Sequence, residues 1–347
     1  MRSSLRLHDQ RLSIVIPSAR SFPLALIQQL ESQTVEGDEI LVVQNRPRLG
    51  VHRWVGITSG VRSSPLRSND PHVCVTATGS TAVAAPKGVS VVLLHSDEGA
   101  AASRNLGWRT AKNGSVLFLD DDITVDETFL SDVRQYLTRR PIAGVVTFRV
   151  LDPPTCKWSS LIEATISLDR GSELYRTDEM SLRLQDVWMY GAGAAMLVNR
   201  SVLQATGGFK NQLGAGRKNG GTEDTEFLWH ASRHSTVEYH GCITVLHENI
   251  SNFQNVARKM REYGRAIGHL GGTAKSVDGY RYVSGYCSHL EAATRLNEIL
   301  CLPTRSLIRV KIAIAVAVSE TLQVYMSSLV HSRQTSILSD ECRGVSS

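Results

Sequence analysis

Two short apolar runs near the start of the chain, Leu12–Ile16 (LSIVI) and Glu39–Val43 (EILVV), constrain the fold more than any other feature. Both are rich in β-branched residues and apolar throughout, the pattern of strands buried on both faces. Pro17 closes the first. Between them, Phe22–Gln33 places Leu24, Ile27 and Leu30 on one side, the spacing of a helix. Strand, helix and strand over about 30 residues form a βαβ unit, so the two strands lie parallel in one sheet.

The alternation continues along the chain. Val89–Leu94 (VSVVLL) reads as a third strand, Ala100–Ala111 as a helix and Ser115–Leu119 (SVLFL) as a fourth strand. Further helices are expected over Asp126–Leu137, Ser201–Thr206, Thr222–Ser232 and Asn249–Leu270, and further strands over Gly144–Val150, Ala192–Val198 and Ile243–Leu246. After Pro303, Val310, Ile312, Ile314, Val316 and Val318 alternate at period two, with alanines between them, which fits either a strand or a buried helix. The class implied is α/β, a mostly parallel sheet flanked by helices with a helical C-terminal extension.

The chain has 347 residues, 42% hydrophobic and 20% charged, an ordinary globular composition. Its net charge of +5 is concentrated in one place. Between Arg46 and Lys87, a Ser/Gly/Pro-rich stretch without sustained period, Arg46, Arg48, Arg53, Arg62, Arg67 and Lys87 face only Asp70. We read 46–87 as a basic, partly mobile insertion within a catalytic domain spanning 1–270, with 271–347 as the extension. A nucleic-acid protein spreads its cations over a folded face, so nucleic acid is not the expected partner.

Six cysteines form no CxxC pair and suit neither a zinc site nor a disulfide framework. The first 20 residues lack the apolar core of a signal peptide, and no uninterrupted apolar run approaches the ~20 residues of a membrane span. A cytoplasmic protein is expected, with room for peripheral contact at the inner face of a membrane.

Chemistry concentrates at two acidic places. Asp120, Asp121 and Asp122 follow directly on a buried strand, and ligands of parallel sheets bind at the carboxyl ends of strands. Adjacent carboxylates repel, and a hard cation such as Mg2+ or Mn2+ resolves that repulsion with substrate phosphates completing its shell. The same triplet also fits a solvated loop leading to the helix near Asp126. The second place is Gly220-Gly221-Thr222-Glu223-Asp224, a glycine loop entering a helix with two carboxylates in its first turn. These residues either cap the helix and complement its dipole or hold a general base beside a closing loop.

The strings IVIPSAR, EGAAASRNLGWRTA, VLFLDDDI, GAGAAMLVNRSVLQATGGFK, GGTEDTEFLWHA and VLHE, in this order, resemble family-two glycosyltransferases, a group with the GT-A fold. The resemblance spans roughly Leu12 to Leu270. It implies transfer of a sugar from a nucleotide-diphosphate donor to a hydroxyl acceptor (a glycan, a lipid-linked sugar or a small molecule) with inversion and a divalent cation. It further implies that Asp122 ligates the cation with His247 as a second ligand, and that Asp224 is the catalytic base. Asp120, with Asp121 and Glu223, falls on the donor side, Pro17 and Ala19 border the nucleotide base, and Arg104 and Asn105 approach the nucleotide or donor sugar. Gly191 and Gly193 line the acceptor side.

Two departures stand out. The family's base-binding Asp is replaced by Gln44 and Asn45, and the QxxRW element of processive synthases is missing, which favours one sugar per encounter. The helix after His247 carries Arg258, Lys259, Arg261 and Arg265 against Glu262, a solvated face or a contact for pyrophosphate or an anionic membrane. Two other readings are a catalytically inactive glycan- or partner-binding relative and a sugar-phosphate nucleotidyltransferase. The second would need a Gly-rich phosphate loop after the first strand, where this chain has Pro17-Ser18-Ala19-Arg20. The sequence does not fix the oligomeric state.

Overall fold

A computed structural model of the chain describes residues 10–19, 23–45, 73–75, 81–84, 90–96, 99–139, 144–152, 165, 167–177, 182–214, 217, 220–247, 252–274, 277–293 and 304–344. Its centre is a parallel array of β1 (Leu12–Ser18), β2 (Glu39–Gln44), β5 (Ser90–His95) and β6 (Ser115–Leu119) in the order β5-β2-β1-β6. The register aligns Ser18 with Gln44 and Gln44 with His95, so the strands finish along one edge. Beyond β6 runs β10 (Ala195–Asn199), antiparallel to it and to β8 (Val145–Leu151), and β8 pairs in parallel with β11 (Val237–His247), whose start also pairs antiparallel with β9 (Leu174–Arg176). The α/β class with flanking helices and a helical C-terminal part is thus the observed one.

Both faces of the sheet are covered, as the unbroken apolar runs require. Leu12, Ile14 and Ile16 of β1 pack with α1 (Leu24–Glu31) and α3 (Phe129–Arg139), while Val15 faces the other way toward Trp108 of α2 (Ala100–Thr110). That second face is completed by a 3-10 helix (Leu184–Tyr190), α4 (Arg200–Thr206), α5 (Glu223–Ala231), α6 (Phe253–Thr273) and α7 (Val277–Ala293).

The structure departs from the sequence reading in several places and resolves what that reading left open. The stretch expected to be without order contains two short strands, β3 (Val73–Val75) and β4 (Thr81–Ala84), which extend the sheet from β5 in antiparallel fashion. The rest of 46–87, with Arg46, Arg48, Arg53, Arg62, Arg67 and Lys87, lies outside the described residues. The strand expected over Ile243–Leu246 is the end of an 11-residue strand. Its first half was hidden because a bulge between His240 and Thr244 breaks the alternation, where Gly241 is pressed against the Gly171 and Glu173 carbonyls.

The C-terminal alternation proves to be helical: α8 (Thr304–Gly344) buries Val310, Ala313, Ile314, Ala317 and Thr321 at helical spacing. It docks on α6, which continues unbroken through residue 270, at Gly264, Gly268 and Gly272. A side chain at Gly264 or Gly268 would run into Thr321, and one at Gly272 would stand 2.6 Å from Ser328 and 2.8 Å from the Tyr325 carbonyl. Small residues at four-residue spacing let the two backbones approach, which a reading of apolar periodicity does not detect. Among the described residues one segment, Ile308–Val330, is long and apolar enough to cross a membrane by length and composition. Counting uninterrupted runs missed it because Arg309, Lys311, Ser319 and Glu320 divide it.

Candidate active site

The sheet topology makes the first acidic cluster. Asp120 leaves the end of β6, where its N–H donates to the Ala194 carbonyl (3.0 Å). The chain then forms β7 (Ile123–Thr124), whose Ile123 pairs with His247 at the end of β11. This short antiparallel pair brings His247 Nε2 to 3.3 Å from Asp122 Oδ1. Asp120, Asp122 and His247 each offer a ligand atom, all within 4.8 Å of one another. Two carboxylates and an imidazole form a hard, mixed oxygen–nitrogen donor set that fits Mg2+ or Mn2+. Asp120, which the resemblance put on the sugar side, thus also lies within ligand distance. Asp121 points elsewhere, and its Oδ2 accepts the Ala19 N–H (3.0 Å), tying the end of β6 to the loop after β1.

Arg104 joins this cluster to the second. From the buried face of α2 it donates one nitrogen to Asp120 (2.7 Å) and the other to Glu223 (2.6 Å). Burial opposes its charge, but Asp120, Glu223 and Asp224 outweigh burial and raise its pKa. Asp120 shares that guanidinium and gains less. Burial first, then Asp122 and Glu223, push its carboxyl up to about 6 against the pull of Arg104 and His247. Arg104 was expected at the nucleotide or donor sugar; the structure shows that it links the two acidic places. Asn105 departs further from expectation. Its amide donates to the Phe209 carbonyl (2.6 Å) and Asn211 (2.8 Å) and accepts from the Phe209 N–H and the Trp108 indole. All its bonding capacity goes into pinning the turn after Gly208.

Asp224 is held by backbone. Its Oδ2 accepts the Gly193 N–H (2.8 Å) and its Oδ1 the Thr225 N–H (2.7 Å). Gly193 sits so close that a Cβ there would stand 2.7 Å from the Asp224 Cβ, so the glycine makes room for the carboxylate. Gly191 has φ +82° and leaves no space before Thr147. Thr222, the residue before α5, has φ 90°, a strained value for a β-branched side chain, and gives no capping bond. Nor does Glu226 close a capping box, since it pairs with Lys210 at 2.6 Å. Strain next to a carboxylate in a cavity is typical of a functional turn.

At the base end of the sheet, Pro17 lies within β1 and Ala19 just beyond it. Gln44 and Asn45 separate in role. Asn45 accepts the Gly99 N–H (2.7 Å) and so fixes the start of α2. Gln44 is 2% exposed, and both polar atoms of its amide lack a partner among the described residues.

Several residues were not individually legible. The cationic face of α6 resolves into Arg258 on Glu262 and Arg261 and Arg265 on Glu320. Lys259 instead has its charge supported by Tyr263 and by Glu262, Asp120 and Asp122, against burial. A cavity of about 990 Å3 opens at Asp224, walled by Arg170, Tyr175, Trp188, Tyr263, Tyr282 and His289 among others. Besides Gly191 and Asp224, which the motifs marked, its residues come from described residues between 151 and 192, from the start of α5 and from two helices after the last strand, and no motif marks these.

Residues 77–207 match the sequence model of glycosyl transferase family 2. No curated protein matches the chain. Among solved structures, S. aureus TarS residues 1–349 overlays 94% of this chain and 92% of its own at 12% identity, with a TM-score of 0.47. Its complex with UDP-GlcNAc gives the same values. The longer S. aureus TarS covers 92% of this chain and 55% of its own, again at 12% identity and 0.47.

Proposed function

We propose, from the premise that this chain is a glycosyltransferase with a family 2 segment at residues 77–207, that it transfers a sugar from a nucleotide-diphosphate donor to a hydroxyl acceptor. The transfer inverts the anomeric centre, depends on a divalent cation and moves one sugar per encounter. One observation carries the reading: a single buried guanidinium, Arg104, connects a metal-ligand cluster to the helix turn that holds a carboxylate in a cavity.

Asp120, Asp122 and His247 are the residues that would hold Mn2+ or Mg2+. When bound, the cation neutralises the charge of the departing diphosphate, a contribution of several kcal/mol. Lys259 adds a positive charge on the same side. On the other side, Asp224 accepts the proton of the acceptor hydroxyl as its oxygen forms a bond to the anomeric carbon. The bond from that carbon to the diphosphate oxygen breaks on the opposite face. The Gly193 and Thr225 N–H groups aim the carboxylate, so no motion is needed at the moment of attack. One base on one face accounts for inversion, whereas a retaining enzyme needs a nucleophile within reach of the acid. The buried Gln44 amide, whose donor and acceptor atoms have no partner among the described residues, supports a role at the nucleotide base.

The test is release of nucleoside diphosphate from UDP-, GDP- and dTDP-hexoses with Mn2+ or with EDTA. The reading predicts release from one nucleotide series, in Mn2+ only. Equal release in EDTA would remove the metal from the reaction.

A further inference from the structure

Building on the acceptor-side reading of the cavity, we infer that the site takes an anionic acceptor, a sugar that carries a phosphate or carboxylate beside the hydroxyl to be glycosylated. The argument begins with Arg170, half-buried in the cavity wall. Its Nε donates to the Trp188 carbonyl (2.7 Å), and its Nη1 to the carbonyls of Ser167 (2.8 Å) and Asp169 (3.0 Å). The guanidinium also lies 5.4 Å from the centre of the Trp188 ring. Among the described residues no carboxylate accepts a hydrogen bond from it. The nearest candidate, Asp169, is engaged by both arms of Arg149 at 2.8 and 2.9 Å.

Arg170 is therefore the opposite of Arg104. Burial lowers its pKa by more than Tyr239, Tyr263, Asp169 and Asp224 raise it. A desolvated cation bonded only to main-chain dipoles is incompletely compensated, and an anion is what completes it. A guanidinium pairs with phosphate or carboxylate through two parallel bonds, and Nη2 makes none among the described residues.

The facing wall is α7. Arg281, Gly285 and His289 follow one another at four-residue spacing and all line the cavity. Gly285 has open space where a side chain would stand, which widens the cavity between the two basic residues. Arg170 depresses the His289 pKa together with burial, so the two side chains bound the same space. The cavity also contains Asp152, Asp169 and Asp224. Asp169 is neutralised by Arg149, and Asp224 is the group the hydroxyl must reach. An acceptor whose charge rests on Arg170 and Arg281 satisfies both requirements. Tyr175 and Trp188 supply flat apolar surfaces for the C–H face of a sugar ring.

The experiment is a binding titration of the full chain, without donor, against glucose, glucose 6-phosphate and glucuronate, followed by saturation-transfer NMR at physiological salt. The proposal predicts at least one charged probe bound about 10-fold more tightly than glucose, the scale of one charge-assisted hydrogen bond. Preference for glucose 6-phosphate alone identifies a phosphate acceptor; equal preference for glucuronate extends the class to carboxylates. Arg170→Gln should abolish the preference and Arg281→Gln should reduce it several-fold. If Arg170→Gln does not fold, the double variant Arg281→Gln/His289→Gln on the exposed wall carries the test. Equal binding of all three probes, or a preference unchanged in the variants, overturns the proposal. A separate titration with UDP and Mn2+ keeps the two readings apart. Its failure alongside an intact anion preference would sink the donor assignment and leave the anionic cavity standing.

Discussion

The sheet edge at Asp120, Asp122 and His247 and the cavity behind Asp224 meet at the start of α5, yet they are built in opposite ways. The edge hangs on the sheet. Asp120 and Asp122 follow β6, and the pairing of Ile123 with His247 brings the imidazole beside them. The cavity takes its walls from the 151–187 stretch, the 3-10 helix, α6 and α7. A site that must hold charges at fixed separations profits from strand ends, which are rigid. A site that fits a variable partner is assembled from helices and loops, which can change without disturbing the sheet. Damage at the edge should therefore stop the reaction for every acceptor, and damage in the cavity should change which acceptor is used.

The largest effect is expected at the junction of the two. Asp224→Asn keeps shape and removes basicity, so turnover should fall by roughly 10²–10⁴ while donor binding and melting temperature hold. Steady-state kinetics alongside a thermal melt checks this, and near-normal turnover would remove Asp224 from the base role. Next is Arg104→Gln, which leaves Asp120 and Glu223 without their shared cation. A loss of about 3–5 kcal/mol in denaturant unfolding is expected, together with weakened metal binding. A variant as stable as the wild type would show that the link between the halves is dispensable.

Gly193→Ala sharpens the comparison on the cavity side. The added methyl meets the Asp224 Cβ, and a displacement near 1 Å can cost about 100-fold in turnover. The account expects that loss in kcat with UDP affinity unchanged. Gly268→Ala lies far from both sites and presses α8 off α6, costing about 1–3 kcal/mol of stability with little change in KM. Smallest is Thr222→Gly, which relieves the strained φ and should add about 1 kcal/mol of stability while slowing turnover. A gain in both would mean that the strain serves no purpose.

The same contrast explains what the sequence made legible. LSIVI, EILVV and SVLFL fixed the parallel centre because doubly buried strands cannot hide their composition. Asp120–Asp122, His247 and Asp224 were legible for a related reason, since each adjoins a strand end or a helix start. The link that Arg104 makes between the acidic places was not legible, because its two partners lie 16 and 119 residues away and no local pattern encodes them. The hold of Asn105 on the turn after Gly208 was hidden for the same reason. Arg170, Trp188 and the α7 row went unseen since they lie on a loop, a 3-10 helix and an α-helix that meet only in the fold, and no local pattern joins them. The docking of α8 was only half legible: Val310, Ile314 and Ala317 pack with Val256 and Met260, but the close approach rests on glycines, which leave no apolar signal.

The most direct test of the account is calorimetric titration of UDP, GDP and dTDP into the full chain, with and without Mn2+, repeated on Asp122→Ala. The account predicts that one nucleotide binds measurably, that Mn2+ strengthens binding at least about 10-fold, and that Asp122→Ala removes the strengthening while the protein stays folded. Tight nucleotide binding indifferent to Mn2+ and to Asp122 would contradict the assignment of the sheet edge as the place where donor and cation meet.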